Sequence, residues 1–211
     1  WPYATPAEQV KAALDETGMP LLGLNTAPGP GGSFGLSAIP ERLAEARAAI
    51  DEALSYAEQI NARAVHVMAG KADGPQADAT FRANLRYACA QSAPLGITVL
   101  IEPLNPTDVP GYFLNTTTQA RAIIADLALP NLRLMFDCYH VAMTEGDVTS
   151  RLTDLLSIIG HIQFADAPGR GAPGTGQIDF AQVFRHIEAL GWQGSLGAEY
   201  KPDGPTEGSL G

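Results

Sequence analysis

Hydrophobic and polar positions alternate between two periods along the chain. Residues 5–18 (TPAEQVKAALDETG) place Val10, Ala13 and Leu14 on one stripe between a Thr-Pro start and a closing glycine, which predicts a helix. A short apolar run follows at 20–25 (PLLGLN), then a long Ala-rich helical pattern at 40–60, then a strand pattern at 64–70 (AVHVMAG). The alternation continues with helix 78–92, strand 97–103 (ITVLIEP), helix 116–128 and strand 132–137 (LRLMFD). Helix 148–158, strand 161–166 (HIQFAD), helix 179–191 and strand 194–200 (GSLGAEY) complete it. Nearly continuous apolar strands joined by helices predict a parallel sheet covered by helices, with roughly 30 to 35 residues per unit.

Two α/β architectures satisfy that pattern, an open doubly wound sheet and a closed (β/α)8 TIM barrel. No phosphate-binding glycine fingerprint stands between a strand and a helix. The run GPGGSFG at 29–35 instead leads into a long connection and reads as a flexible active-site loop. Polar groups at the strand ends favour the barrel: Glu102, Asp137, Gln163 with Asp166, and Glu199. In a barrel such groups meet at one mouth, whereas in an open sheet they spread along an edge. Period-2 alternation then puts Thr98, Leu100, Arg133, Met135, Ser195 and Gly197 on the lumen face, with Arg133 the awkward member.

A closed barrel of this type needs eight strands and the pattern supplies six. The reading is therefore a single barrel domain over 1–211 lacking the first one to two β/α units, roughly 40 residues, and the last helix.

Composition narrows the chemistry. Of 211 residues, 45% are hydrophobic and 17% charged, and the net charge of −10 disfavours nucleic acid or an anionic membrane surface as partner. Cys89 and Cys138, the two cysteines, form no CxxC pair and read as reduced thiols of a cytoplasmic protein. No apolar stretch is long enough to span a membrane. The expected partner is a small molecule, and self-association into a homo-oligomer is left open.

The segments IEPLNPTDVPGYF, LMFDCYHVAMTEGD, GHIQFADAPGRGAPGTGQIDF and GAEYKP together resemble the hydroxypyruvate isomerase family of xylose-isomerase-like TIM barrels, in the family's order and spacing. The resemblance runs from Trp1 across the chain. It implies a divalent metal, Mg2+ or Mn2+, held by Glu102, Asp137, Gln163 and Glu199. It also implies interconversion of aldose-like and ketose-like α-hydroxycarbonyl compounds, with hydroxypyruvate and tartronate semialdehyde as the namesake pair. The residue types agree with this, because carboxylates crowded at one mouth raise each other's pKa unless a cation neutralises them, and oxygen ligands suit a hard cation. Glu102 and Glu199, from different strands, are the candidate proton acceptor and donor. His140 takes over the substrate contact of the matching histidine in related epimerases. Arg170, just beyond Gln163, is placed to hold a carboxylate, and His66 points to the same mouth.

The segment APGPGGSFG departs from the Trp and Glu-Arg pattern expected there in hydroxypyruvate isomerases. The nearest alternative is a ketose 3-epimerase or another sugar isomerase of the superfamily, although those epimerases usually carry His where Gln163 stands. An endonuclease-IV-type activity calls for a His-rich zinc cluster and a basic surface, neither of which the sequence offers. A silent binding protein has no use for two opposed glutamates. Asp166 reads as loop-shaping, Cys138 as packing, and His161 as the start of its strand on the stability face.

Overall fold

Six parallel strands pair in chain order in the computed structural model, which describes residues 1–209. They are β1 (Leu24–Asn25), β2 (Ala64–His66), β3 (Thr98–Ile101), β4 (Leu132–Asp137), β5 (Ile159–Phe164) and β6 (Leu196–Ala198). Helices α1 (Ala7–Thr17), α2 (Leu43–Gln59), α3 (Gly74–Ser92), α4 (Thr117–Leu127), α5 (Cys138–Thr144), α6 (Val148–Leu155) and α7 (Phe180–Ala189) alternate with them. The result is the curled parallel sheet of a TIM barrel, with β1 and β6 at its two margins.

Side chains on the convex face, among them Val65, Val99, Ile101, Leu134, Phe136 and Ile162, bury against Ile50, Phe81, Leu85, Ile123 and Leu152 of the helices. The concave face carries a separate small cluster, Ala64, Leu100 and Met135. This bears out the lumen positions assigned to Leu100 and Met135. A cavity of about 290 Å3 lies there, lined by Leu22, Leu24, His66, Leu100, Met135, His161 and Gln163 among others. Arg133 is accommodated because its neighbour is Gly160, where a Cβ would sit 2.6 Å from Arg133 Cβ, and its Nη1 donates to the Ser157 carbonyl at 3.0 Å.

Local chemistry sets the ends of the elements. Gly18 closes α1 at φ 67°, a left-handed cap that glycine adopts freely. Thr116, Asp147 and Asp179 cap α4, α6 and α7 by accepting from the backbone N–H of Gln119, Ser150 and Gln182. Helix α3 starts at Gly74, four residues before the expected 78, because Pro75 favours the first helical turn. β1 keeps two residues of the expected six-residue run at 20–25. Strand β5 begins at Ile159, so His161 is its third residue and faces the lumen beside Gln163, not the stability face.

One helix was not expected. Asp137 ends β4 and at once caps α5, accepting from the Tyr139 N–H at 2.8 Å. The chain therefore turns into a helix directly at a strand end, which brings Tyr139 and His140 back over the mouth of the sheet.

Candidate functional site

The carboxyl ends of the strands deliver the polar groups to one place. Glu102 follows the last residue of β3 and is 5% exposed; Asp137, the last residue of β4, is 2% exposed. Asp137 pairs in register with Gln163 of β5, and Glu199 leaves β6 with its N–H donating to the Phe164 carbonyl at 3.0 Å. Glu102, Asp137 and His140 each present one potential ligand atom, all within 4.8 Å of one another. Glu102, His66, His140, Arg170, Glu199, Phe34 and Trp1 line a cavity of about 140 Å3.

Three buried oxygens here lack any hydrogen-bond partner: Glu102 Oε1, Asp137 Oδ2 and Gln163 Oε1. Leaving such atoms unsatisfied costs about 1–3 kcal/mol each, and more when charged. Two carboxylates and an amide oxygen make a donor set that fits a hard divalent cation. Glu199, by contrast, is 43% exposed at its side chain and is engaged by Arg170, whose Nη2 lies 2.6 Å from Glu199 Oε2. The same guanidinium lies 3.6 Å from Asp137 Oδ2 and stacks 5.3 Å over the Tyr139 ring.

Electrostatics follow from burial. Loss of solvent pushes the Glu102 carboxyl well above its ordinary range, reinforced by the charges of Glu199 and Asp137. Burial, with Glu199 next, raises Asp137 to about 7, while Arg170 pulls the other way. Burial holds His66 down to about 3, and burial plus the Arg170 charge does the same for His140. Burial also opposes the charge on Arg170, but Glu199, Asp137 and Glu102 outweigh it and its pKa rises. Cys138 is fully buried beside this site, and desolvation raises its thiol far out of the reactive range, in keeping with a packing role.

Arg170 is set by its loop. Asp166, fully buried, accepts from the backbone N–H of Ala167, Gly174, Gly176 and Ile178 at 2.8–3.0 Å. Burial works against its ionisation, yet these four donors keep its pKa below the usual value. This is the loop-shaping role expected of Asp166. The segment at 29–35 does reach the site, through Phe34, but it is pinned rather than free over its last part. Gly35 bridges Ala69 beyond β2, its N–H donates to the Pro28 carbonyl at 2.7 Å, and Ala38 N–H donates to Ala69. At Gly35, φ is 107° and a Cβ would lie 2.3 Å from the Met68 carbonyl oxygen, so only glycine fits.

Sequence reasoning missed Asn25, Asn105, Asp108 and Tyr139. Asn25 Oδ1 lies 3.2 Å from His66 Nδ1, and the Tyr139 hydroxyl donates to Asp108 Oδ2 at 2.7 Å. Asn105 connects Asp108 to His140. The signal available was the LNPTD segment directly after Glu102, where Asn and Asp in a turn promise side-chain-to-backbone bonding without naming its target.

Comparison with known proteins agrees with this fold. A 2-oxo-tetronate isomerase of Cupriavidus necator is 41% identical over 217 residues, covering all of this chain and 84% of the relative. A hydroxypyruvate isomerase of Escherichia coli K12 is 38% identical over 183 residues, covering 85% of this chain and 71% of the relative. Among solved structures, an AP endonuclease, family 2, from Brucella melitensis superposes with a TM-score of 0.94 at 33% identity, covering all of this chain and 83% of that one. The family profile described as xylose isomerase-like TIM barrel matches residues 1–210, and the chain belongs to that family.

Proposed function

We propose that this chain isomerises small hydroxy-oxo acids, with hydroxypyruvate and 2-oxo-tetronate as the candidate substrates. The observation that carries the reading is one cavity lined by both Glu102 and Glu199 together with His140 and Arg170. The names of the relatives point to the same substrate class. For hydroxypyruvate, the C3–H proton leaves, an enediolate spans C2 and C3, and a proton returns at C2 while the hydroxyl proton passes from O3 to O2. Glu102 and Glu199 face the two carbons as proton acceptor and donor. Arg170 holds the substrate carboxylate, and His140 contacts a substrate oxygen. A Mg2+ or Mn2+ ion held by Glu102, Asp137, Gln163 and Glu199 supplies, when bound, the positive charge that favours the enediolate.

The test is to incubate the protein with hydroxypyruvate, 2-oxo-tetronate and a panel of ketoses in D2O, with Mg2+ or Mn2+, and follow products by NMR. Isomerised acid carrying solvent deuterium at the receiving carbon is the expected result. Turnover confined to the ketoses replaces this reading with that of an epimerase.

A further inference from the structure

We infer that Asn105 is a positioning residue that fixes His140 as a neutral imidazole protonated on Nε2, which makes His140 a hydrogen-bond donor to the substrate and not a metal ligand. The proximity of His140 to Glu102 and Asp137 alone leaves both roles open. The partners of its other ring nitrogen decide between them.

The backbone N–H of Asn105 points at His140 Nδ1 across 3.0 Å. A backbone amide can only donate, so Nδ1 must offer a lone pair. The Asn105 side chain agrees. Its Oδ1 accepts from the Asp108 N–H at 2.9 Å, which settles which way the amide faces. Its Nδ2 then lies 2.8 Å from His140 Nδ1 and 3.1 Å from Asp108 Oδ2, with one hydrogen for each. Asn105 is fully buried and His140 is 3% exposed, so no solvent substitutes for these contacts. A neutral imidazole with a bare Nδ1 carries its proton on Nε2.

Nε2 faces the cavity. Arg170 Nη1 lies 3.4 Å from it and Asp137 Oδ2 3.7 Å. The Arg170 guanidinium also only donates and so asks Nε2 for a lone pair, but its single contact at 3.4 Å is longer than the two at 3.0 and 2.8 Å that claim Nδ1, and Asp137 Oδ2 lies beyond hydrogen-bond distance of Nε2. With Nε2 protonated, Arg170 and His140 are two donors side by side. Such a pair is completed by an acceptor oxygen from a ligand, as on the carboxylate or oxo group of a hydroxy-oxo acid. Ligation through Nε2 requires the opposite tautomer, which sets an Nδ1–H against the Asn105 amide. The substrate-contact role of His140 rests on the isomerase reading; the tautomer does not.

The first test is long-range 15N–1H NMR on the uniformly labelled wild-type protein, whose four histidines are assigned with the help of His140→Gln. The expected His140 spectrum has a protonated Nε2 and a bare Nδ1, with and without Mg2+. A protonated Nδ1, or an Nε2 resonance that becomes that of a bare metal-bound nitrogen on adding Mg2+, overturns the proposal. The second test is Mn2+ affinity by calorimetry, where His140→Gln should stay within about twofold of wild type and a loss of about tenfold or more makes His140 a ligand. In Asn105→Asp the new carboxylate draws a proton to Nδ1. Turnover should then drop about tenfold or more at unchanged Mn2+ affinity, and unchanged turnover removes the positioning role. If wild-type protein turns over no hydroxy-oxo acid, the functional reading fails while the NMR result still stands or falls alone.

Discussion

Glu102 and Glu199 are the same residue type in opposite surroundings. Glu102 is buried just past β3 with an oxygen that no hydrogen bond satisfies, whereas Glu199 stands half in solvent against Arg170. Replacing Glu199 with Gln keeps the shape and removes the proton-transfer group. Turnover of the hydroxy-oxo acid should decrease by about 10²–10⁴-fold while calorimetric substrate affinity stays near wild type. A variant that retains turnover takes Glu199 out of the chemistry. As candidates, Glu102, Asp137 and Glu199 were legible because each closes an apolar run, and Gln163 because it interrupts one from within. Asn105, Asp108 and Tyr139 were not, because their significance lies in bonds that span 31 to 35 residues, Tyr139 to Asp108 and Asn105 to His140, which no local pattern encodes.

At the scale of elements, the loop between β5 and α7 is organised around one carboxylate. Asp166 receives four backbone N–H groups, and Gly176 is required beside it, since a Cβ there would come within 2.5 Å of Asp166 Oδ1 and 2.4 Å of the Ala167 carbonyl. Asp166→Asn turns one of its two acceptors into a donor and strands about two of those amides, at roughly 1–3 kcal/mol each. Denaturant unfolding should show a loss of that order, and hydrogen exchange should quicken across residues 167–178, the stretch that carries Arg170. Exchange at the wild-type rate there means the loop is held by something else. Most helices were readable from their stripes and end residues. Helix α5 was not, because LRLMFDCYHVAMT is apolar almost throughout and its period cannot be told from that of the strand it continues.

For the whole molecule, the buried ionisable groups tie stability to pH and to cations. Without a cation the folded chain retains protons on Glu102 and, up to about 7, on Asp137, which the unfolded chain gives up near pH 4. His66 and His140, held near 3, act in the opposite sense below their unfolded value of about 6.5, and His161 adds to them. The two sets largely offset one another between about pH 4.5 and 6.5. Above that window only the carboxylates remain, and stability declines as pH rises through about 7. In EDTA the Tm should therefore fall between about pH 6.5 and 8.5, Mn2+ should raise it more at the upper end, and Glu102→Gln should flatten the slope. A Tm in EDTA that is level or climbs across that interval contradicts the assigned surroundings of Glu102 and Asp137. The alternation of elements made the architecture readable from the sequence, because parallel strands covered by helices leave a period that survives errors at every boundary.

The glycine latch at Gly35 has an evolutionary corollary. Because a side chain there strikes the Met68 carbonyl, that post is closed to drift, whereas a side chain at Gly31 or Gly32 would meet nothing within 4 Å and face only the backbone strain of φ 63° and 70°. Sequence change can accumulate in the short span before the latch and carry Phe34, at φ 55°, to new positions on the cavity wall without disturbing the end of β2. Substrate preference in this scaffold can thus diversify by rewriting half a loop, and a laboratory seeking a roomier pocket has its library boundaries drawn by the backbone.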